Sequence, residues 1–457
     1  MGPCRPSMRV ALLSCYELGH QPHGLAMPLA FLERAGHKAS AQDLALEPLD
    51  EDVIRAADVV GISVPMHTAL RIGARVAVRV RELNPRVHLC CFGLYAPLNA
   101  AYLRSCGVDS VLGGEHEAAL VELIDRLAAG ERAPRPSPVT LSRLDFPPPR
   151  RTGLLPLRRY ARLLRDGREH LAGYTEASRG CLHLCRHCPI PPVYGGRFFV
   201  VAAATVLADL AALVELGATH ITFGDPDFFN GPGHGLAIVR ELHRRWPQVT
   251  FDVTIKISHL LRRRDHLPEL AALGCVFVVS AVESLDDGVL ARLDKGHTRA
   301  DIDEALALTR AAGLVLRPTF VPFTPWTTIE QLVDLVDFID REDLAGCVDP
   351  VQLSVRLLVP PGSLLLAPDR PERADLGELD PGALSHRWTH PDPGVDRLQL
   401  AIAAIAAAAA EDGRPAALVF PAIRELVHRA SGRVPSASPK PLAPRPPPPR
   451  LSESWFC

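Results

Sequence analysis

Three cysteines lie within eight residues of one another, and their spacing is the strongest chemical signal in the sequence. Cys181, Cys185 and Cys188 form a CxxxCxxC pattern in the segment SRGCLHLCRHCP. Each iron of a 4Fe–4S cube needs one external ligand, and cysteine thiolates supply it. Three cysteines would therefore hold three irons and leave the fourth iron open to nitrogen and oxygen atoms of a substrate or cofactor.

Zinc is the alternative for this segment, because His183 and His187 lie among the same cysteines. A structural zinc site takes four nitrogen or sulfur ligands in a tetrahedron. Such sites usually combine two ligand pairs that are farther apart in the chain, and no second pair occurs nearby. A chance cluster that binds nothing also remains open from the residues alone.

The elements around the cysteines favour the iron–sulfur interpretation. Residues 173–360 alternate strand and helix patterns, and the cysteine segment follows the first predicted strand. The predicted strands are 174–178, 220–224, 250–257, 276–283, 314–322 and 351–358, with helices such as 202–216 and 329–341 between them. This alternation predicts a partial (β/α)6 TIM-like barrel, in which chemistry takes place at the carboxyl ends of the strands.

A second α/β region precedes the barrel. Strands are predicted at 9–13, 58–63, 87–92 and 109–112, and helices at 25–35, 68–83 and 117–129. Short strands alternating with helices indicate a parallel sheet covered on both faces. Residues 9–131 are therefore predicted to form a doubly wound domain, which binds ligands at the carboxyl ends of its strands.

Three further regions complete the predicted organisation. Residues 132–172 are rich in proline and arginine and are interpreted as a linker, with a helix at 157–168. Residues 361–434 form a small helical region with one alanine-rich helix at 395–410. Residues 435–457 form a proline-rich tail that we expect to be disordered or extended.

Composition excludes several classes of protein. The formal net charge of the 457 residues is −2, which removes the electrostatic argument for a nucleic-acid partner. No run of about 18 apolar residues is visible, so we expect no membrane span. The first residues lack the apolar core of a signal peptide, which predicts a reducing cytoplasm where clustered thiols bind metal.

Residues 170–360 resemble the radical S-adenosylmethionine enzymes. In that family the open iron chelates S-adenosylmethionine, and an electron from the cluster cleaves the sulfonium to give a 5′-deoxyadenosyl radical. The resemblance implies that Cys181, Cys185 and Cys188 bind the cluster. It also implies an external electron donor such as flavodoxin or ferredoxin. Many members have an aromatic residue before the last cysteine, where this chain has His187.

The resemblance implies residues that orient S-adenosylmethionine. Gly224 and Asp225 stand in the segment FGDPD, at the place of the GGE-type turn that binds the amino group in the family. Aspartate is one methylene shorter than glutamate, and a plain strand-to-helix turn is the alternative. Lys256 ends the third predicted strand, where it would pair with the cofactor carboxylate unless it is simply solvated.

A further segment resembles the ES…KGHT sequence of radical enzymes related to methylthiotransferases and cobalamin-dependent methylases. It comprises Glu283 and Ser284, followed by KGHT at 295–298. The resemblance implies that Glu283 binds the ribose hydroxyls, as acidic groups do in other nucleotide sites. The alternative is a capped helix start.

The N-terminal region resembles the cobalamin-binding domain that precedes many radical enzymes, through the segments 58–63 and 113–127. The residues that this resemblance implies as cobalamin contacts are Ser63, Gly93, Gly114 and Glu115. The DxHxxG motif, whose histidine replaces the lower ligand of cobalamin, is absent, and the strand ending at 90–95 has no double glycine. A scaffold domain without cobalamin therefore remains the alternative.

Several segments resemble one narrow group, the radical proteins named for a C-terminal CUAEP or CCAEP tail, where U is selenocysteine. They are YELG at 16–19, CPIPPVY at 188–194, FGDPDFFN at 223–230, FTPWTT at 323–328 and RLLVPPGS at 356–363. The sequence ends at Cys457, and the next residue of such a tail is selenocysteine or cysteine. We therefore hypothesise truncation at a UGA codon. The alternative is an ordinary stop after a chance cysteine.

Together these patterns predict an α/β radical S-adenosylmethionine enzyme with a 4Fe–4S cluster and a possible cobalamin. The predicted reaction is a radical methylation or a related carbon–sulfur or carbon–carbon rearrangement of a small molecule or peptide. Asp227, Phe228, Trp326 and Tyr194 are expected at the barrel mouth. Two other classes stay open: an iron–sulfur sensing or binding protein, and a thiol or selenol tail with redox or metalloid chemistry.

Overall fold

The structure is a computed structural model that describes residues 8–131, 139–434 and 447–453. Within these ranges the chain forms two α/β units, followed by a helical region and a short extended segment. Residues 435–446 of the predicted tail lie outside the described residues. Cys457, and with it the truncation hypothesis, also lies outside them.

The N-terminal unit is the predicted doubly wound domain, with a parallel sheet in the order β2-β1-β3-β4-β5-β6. Its strands are β1 (Arg9–Ser14), β2 (Lys38–Asp43), β3 (Val59–Ser63), β4 (His88–Phe92), β5 (Ser110–Gly114) and β6 (Val139–Thr140). Its helices are α1 (His23–Arg34), α2 (Glu51–Ala56), α3 (His67–Leu83), α4 (Tyr95–Leu98), α5 (Ala100–Ser105) and α6 (Glu117–Ala128). The central strands are apolar on both faces because helices cover both sides. β2, of sequence KASAQD, is a polar edge strand that hydrophobic patterning did not predict.

The second unit is a half-barrel whose main sheet has the order β14-β13-β12-β11-β8-β7-β17. Its strands are β7 (Arg162–Arg165), β8 (Arg168–Thr175), β9 (Ser178–Gly180), β10 (Phe198–Val200), β11 (His220–Phe223), β12 (Thr250–Thr254), β13 (Cys275–Glu283) and β14 (Val315–Phe320). The helices between them are α7 (Ile190–Tyr194), α8 (Ala203–Glu215), α9 (Pro232–Arg245), α10 (Ile257–Arg262), α11 (Leu267–Ala272), α12 (Asp287–Arg292), α13 (Arg299–Ala311) and α14 (Ile329–Arg341). Five strands of the main sheet are parallel, namely β8, β11, β12, β13 and β14, whereas β9 and β10 form a separate antiparallel pair. The carboxyl ends of the five parallel strands therefore open on one side of the sheet.

The helix predicted at 157–168 is wrong. A 3-10 turn, Leu157–Arg159, leads instead into a hairpin of β7 and β8. Asp166 and Gly167 form its turn with φ of 51° and 71°, which is the left-handed backbone that two-residue hairpins require. The Asp166-Gly167 pair was the signal for this hairpin in the sequence.

The sixth barrel strand, predicted at 351–358, is also wrong. Residues Pro350–Ser354 form a 3-10 helix, and only Phe323 and Arg356 form an isolated parallel bridge. The Gln352 side-chain oxygen accepts the Phe320 N–H at 3.3 Å, where a neighbouring strand would otherwise pair. The parallel part of the half-barrel therefore has five strands.

The C-terminal region contains two helices and a small hairpin. They are α15 (Pro393–Glu411), α16 (Ala416–Ala430), β15 (Leu379–Asp380) and β16 (Ser385–His386). Among the described residues, α15 alone is long and apolar enough to cross a membrane by length and composition, with a mean hydropathy of 1.2. The sequence analysis had identified no apolar run of that length. In the structure α15 and α16 pack against each other, and Arg424 on α16 pairs with Asp337 on α14 at 2.9 Å.

Part of the tail is ordered. β17 (Arg450–Leu451) pairs antiparallel with β7 at the edge of the half-barrel. The Glu453 carboxylate then accepts a hydrogen bond from the Tyr16 hydroxyl at 2.7 Å, next to Gly19 of the N-terminal unit. Residues 447–453 are therefore extended, which is one of the two states expected for the tail, and they contact both units.

Candidate functional site

The three cysteines lie on one loop between β9 and α7, at the carboxyl end of β8. Cys185 is buried, and Cys181 and Cys188 are half-buried. Gly180 precedes the loop with a φ of +72°, and a Cβ there would lie 2.5 Å from the Arg197 carbonyl oxygen. Only glycine fits this close approach. The loop is also held from the far side, because the Arg186 N–H donates to the Leu293 carbonyl at 2.9 Å.

The thiols have two nitrogen donors beside them. The Asn230 side-chain amide donates to Cys181 Sγ at 3.6 Å, and Lys256 Nζ donates to Cys185 Sγ at 3.7 Å. Burial raises the pKa of the Cys188 thiol to about 12. Buried thiols of this kind lose their protons to a metal, and the surrounding donors then stabilise the thiolates. The donor set therefore fits a thiolate-bound cluster.

The two histidines of the loop turn towards carboxylates. The Nε2 atom of His183 lies 3.2 Å from Asp227, after β11, and that of His187 lies 3.1 Å from Glu283, at the end of β13. Both Nε2 atoms are therefore engaged away from a shared Cys–His zinc tetrahedron. This arrangement favours the iron–sulfur interpretation over the zinc alternative.

Asp225 lies beside the segment that leads into the cysteine loop. Its carboxylate accepts the Ala177 N–H at 2.9 Å and the Ser178 hydroxyl at 2.5 Å. Burial raises the pKa of Asp225 to about 7, even though these hydrogen bonds act in the opposite direction. Gly224 is required because a Cβ there would lie 1.8 Å from the Tyr174 hydroxyl. Both predicted residues thus shape the entry to the cysteine loop.

Glu283 is the centre of a buried ion-pair network. Its Oε1 atom lies 3.1 Å from His187 Nε2 and accepts a hydrogen bond from Lys295 Nζ at 3.2 Å. Burial alone would raise the pKa of Glu283, but Lys295 and His187 lower it to about 2. Its φ of +69° is in the left-handed region. The sequence singled out Glu283 but missed its pairing with the lysine of KGHT.

Ser284 and Lys256 have different surroundings from each other. The Ser284 hydroxyl accepts the Asp286 N–H at 3.1 Å, and Asp286 caps α12, which corresponds to the capped helix start named as the alternative. Lys256 stands at the N-cap of α10, is half-buried, and directs its Nζ atom at Cys185.

The residues expected at the barrel mouth have different surroundings in the structure. Tyr194 donates to Glu115 at 3.0 Å, and the Trp326 indole donates to Asp375 at 2.6 Å. Phe228 is 2% exposed and packs on Phe223 in the core, so its prediction as a mouth residue is wrong.

Arg179 is a residue that the sequence reading missed. It lies two residues before Cys181 and is largely buried. Its guanidinium contacts Glu176 at 2.8 Å and Glu117 at 2.5 Å, and it lies 3.9 Å from Glu115. Glu115 and Glu117 follow β5 of the N-terminal unit. No sequence signal gives this pairing, because the partners lie more than 60 positions apart in different units.

The four residues expected to contact cobalamin all lie at the carboxyl edge of the N-terminal sheet. The Ser63 hydroxyl donates to Glu17 at 3.5 Å, and Glu115 is engaged by Tyr194 and Arg179. A Cβ on Gly93 would lie 3.1 Å from the Val64 backbone, and one on Gly114 would lie 2.3 Å from the Thr140 carbonyl oxygen. The side chains of Ser63 and Glu115 form contacts within the protein, and the two glycines allow close packing of the backbone.

Three polar atoms at the same edge are buried without a hydrogen-bond partner among the described residues. They are the Ser14 hydroxyl, at the end of β1, and Glu115 Oε2 and His116 Nε2, which follow β5. Unsatisfied buried polar atoms are uncommon in folded proteins. This edge therefore has free hydrogen-bonding capacity that a polar cofactor group such as part of cobalamin would satisfy.

Residues 175–339 match the Radical SAM superfamily, so this part of the chain is a radical SAM domain. The match confirms the predicted domain and the expectation of an enzyme that uses a 4Fe–4S cluster and S-adenosylmethionine. No curated protein matches the sequence.

Solved structures of cobalamin-dependent enzymes share the fold. One is the radical S-adenosylmethionine methyltransferase TsrM from Kitasatospora setae, with cobalamin and a 4Fe–4S cluster bound; it is 19% identical over 74% of each chain, with a TM-score of 0.61. Another is the cobalamin-dependent S-adenosylmethionine radical enzyme OxsB with aqua-cobalamin bound, 16% identical over 86% of this chain and 66% of that chain, with a TM-score of 0.67. The predicted combination of a doubly wound domain and a half-barrel is confirmed.

Proposed function

We propose that this chain, with its radical SAM domain at residues 175–339, is a cobalamin-dependent radical enzyme that methylates or rearranges a small molecule or peptide. The observation that carries the proposal is the loop of three thiols at the carboxyl end of a half-barrel. The carboxyl edge of the doubly wound unit lies against the same region, where Glu117 pairs with Arg179 and Glu115 accepts a hydrogen bond from Tyr194. When bound, the cluster supplies the electron that cleaves S-adenosylmethionine, and cobalamin supplies a carrier for a methyl group.

Cys181, Cys185 and Cys188 are the proposed cluster ligands. Asn230 and Lys256 donate to two of the thiols, so they would stabilise the thiolates and fix their direction. Such hydrogen bonds tune metal sites without binding the metal themselves.

Gly224, Asp225, Lys256, Glu283 and Ser284 are the residues that we propose to orient S-adenosylmethionine. Both oxygens of Asp225 already accept one hydrogen bond. A carboxylate oxygen has two lone pairs, so Asp225 can still accept an amino group of the cofactor. His187 and Lys295 both contact Oε1 of Glu283, and we assign Oε2 to the ribose hydroxyls.

The edge that carries Ser63, Gly93, Gly114 and Glu115 is the proposed cobalamin site. Arg179 connects Glu115 to the cysteine loop, so this edge and the proposed cluster face each other across one buried ion pair. Ser63 and Glu115 already form hydrogen bonds or ion pairs within the protein. Cobalamin would therefore bind mainly through groups such as His116 Nε2.

Three narrower parts of the proposal concern the protein group, the location in the cell and the electron donor. We propose membership of the CUAEP/CCAEP-tail group, a cytoplasmic location, and a flavodoxin or ferredoxin as electron donor. The nucleotides after Cys457 test the first point. A UGA codon followed directly by Ala-Glu-Pro codons supports truncation at selenocysteine, and any other stop or frame contradicts it.

The main test reconstitutes the full chain anaerobically with iron, sulfide and hydroxocobalamin, followed by desalting. We expect about four irons and close to one cobalamin per chain, and reductive formation of 5′-deoxyadenosine or of a methylated product. Cys185→Ala should lose the cluster, whereas Cys106→Ala, a half-buried cysteine of the N-terminal unit, should keep it. A cluster without retained cobalamin contradicts the cobalamin part of the proposal. If Cys185→Ala retains as much iron as Cys106→Ala, the cluster part of the proposal is contradicted.

A further inference from the structure

Three side chains converge at the carboxyl ends of neighbouring strands, outside the residues assigned above. His183 lies on the loop that follows β8 and β9, Asp227 follows β11, and His259 lies on α10 after β12. β8, β11 and β12 are adjacent in the sheet. The fold therefore brings one residue from each of three consecutive β/α connections to a single point.

The distances among these groups match the ligand set of one metal ion. One ligand atom of each residue lies within 4.8 Å of the other two. Oδ2 of Asp227 lies 3.2 Å from His183 Nε2 and 2.7 Å from His259 Nδ1. Ligands bound to one ion at about 2.1 Å lie about 3.0–3.4 Å apart, so small side-chain movements complete the site.

His259 is held against the same carboxylate oxygen as His183. Its Nδ1 atom lies 2.7 Å from Asp227 Oδ2, which is hydrogen-bonding distance. The other carboxylate oxygen, Oδ1, accepts the Phe229 N–H at 3.1 Å, which fixes the direction of Asp227. The carboxylate thus presents one oxygen to two imidazoles, and the three groups point at one another without a fourth partner among the described residues.

Burial makes this arrangement a built site. Asp227 is 1% exposed and His259 is 9% exposed. A buried carboxylate and a buried imidazole need strong partners, and a metal ion is one that satisfies both at once.

We propose that His183, Asp227 and His259 bind a single divalent transition-metal ion, such as Zn²⁺ or Fe²⁺, next to the cysteine loop. Two imidazoles and one carboxylate suit these ions, whereas Mg²⁺ and Ca²⁺ prefer oxygen ligands. Three protein ligands leave an open position, as in catalytic zinc sites. The open position would take water or an oxygen or nitrogen atom of a substrate at the barrel mouth. This proposal does not depend on the cluster or on S-adenosylmethionine.

The first experiment uses the full chain with Cys181→Ser, Cys185→Ser and Cys188→Ser, so that thiols do not bind the probe. Zn²⁺ is the probe, and its affinity is measured by competition with a chelator. We expect one zinc per chain, and a loss of affinity of at least tenfold with Asp227→Asn or His259→Gln. His266→Gln is the matched control, because this histidine lies in the same region outside the site and should leave the affinity unchanged.

A second experiment covers the case in which the serine variant does not fold. Cluster-loaded wild-type protein is incubated with Zn²⁺ and dialysed, and zinc, iron and sulfide are measured together. We expect one added zinc with iron and sulfide unchanged, and no added zinc in cluster-loaded Asp227→Asn. No zinc in the wild-type protein, or equal zinc in the two proteins, overturns the proposal.

Discussion

Replacing Arg179 by methionine should destabilise the protein strongly, because this guanidinium is the buried partner of carboxylates from both units. Glu115 and Glu117 are at most 1% exposed, and only 11% of the Arg179 side chain is exposed. Breaking a buried pair by removing one partner costs about 3–5 kcal/mol, since the other charge remains buried. The perturbation therefore falls on the contact between the N-terminal sheet and the cysteine loop.

The expected shift follows from the size of the chain. An unfolding entropy of about 2.1 cal/mol/K per residue, applied to 457 residues, gives about 1 kcal/mol per degree. If the chain unfolds as one unit, Arg179→Met lowers Tm by about 3–5 °C. Arg168→Met is the control, because Arg168 is exposed at the start of β8, and its Tm should stay within about 1 °C of the wild type.

A second substitution tests the cause of this shift. Glu117→Gln in the Arg179→Met background removes the uncompensated charge, so it should restore part of the lost Tm. Thermal unfolding followed by circular dichroism measures all four proteins. The reasoning is refuted if Arg179→Met lowers Tm no more than Arg168→Met does, or if Glu117→Gln restores nothing.

Three further predictions concern single residues. Gly224→Ala should lower the free energy of unfolding by about 1–3 kcal/mol, because its Cβ would lie 1.8 Å from the Tyr174 hydroxyl; denaturant titration measures this loss. Glu17→Gln should become more stable relative to wild type as pH rises from 5 to 9, because burial raises the pKa of Glu17 to about 8, and a raised carboxyl pKa makes the folded state lose stability as pH rises towards that value. Lys295→Met should destabilise the protein more at pH 8 than at pH 5, because Glu283, whose pKa the Lys295 charge helps to lower to about 2, would be left buried and ionised; thermal unfolding at both pH values measures this.

Each of these predictions has a matched control. Gly233→Ala should be tolerated, because no atom outside its own helix lies within 4 Å of a Cβ there, and an equal loss at both glycines contradicts the steric argument. Glu33→Gln changes an exposed carboxyl on α1, and a pH trend like that of Glu17→Gln would contradict a cause in burial. Lys38→Met, at an exposed lysine, should show no pH-dependent loss, and equal behaviour of the two lysine variants would contradict the ion-pair argument.

The parts of the fold that the sequence predicted are those in which local pattern and tertiary structure agree. β3, of sequence VVGIS, is apolar on both faces and is buried throughout. The cysteine loop was predicted at a strand end because it follows a strand in a β/α series. The hairpin at Asp166-Gly167 was missed because arginines on both sides resemble a helix, although the turn residues favoured strands.

The candidate site was predicted in its cysteines and carboxylates but not in its pairings. Motifs give residue types at fixed spacings, whereas the partners of Glu283 and Asp227 depend on which strands become neighbours. His259 shares no motif with His183, and the two meet only because β8, β11 and β12 are adjacent. Contacts of this kind need the strand order, which a single sequence does not provide.

A half-barrel has two open sheet edges, and open edges are templates for strands of other molecules. In this chain β17 occupies the edge at β7, and the Gln352 side chain caps the edge at β14. The sheet is thus protected from edge-to-edge aggregation without being closed into a full barrel. An open half-barrel and protected sheet edges are therefore compatible here, and residues 447–453 contribute to the protection.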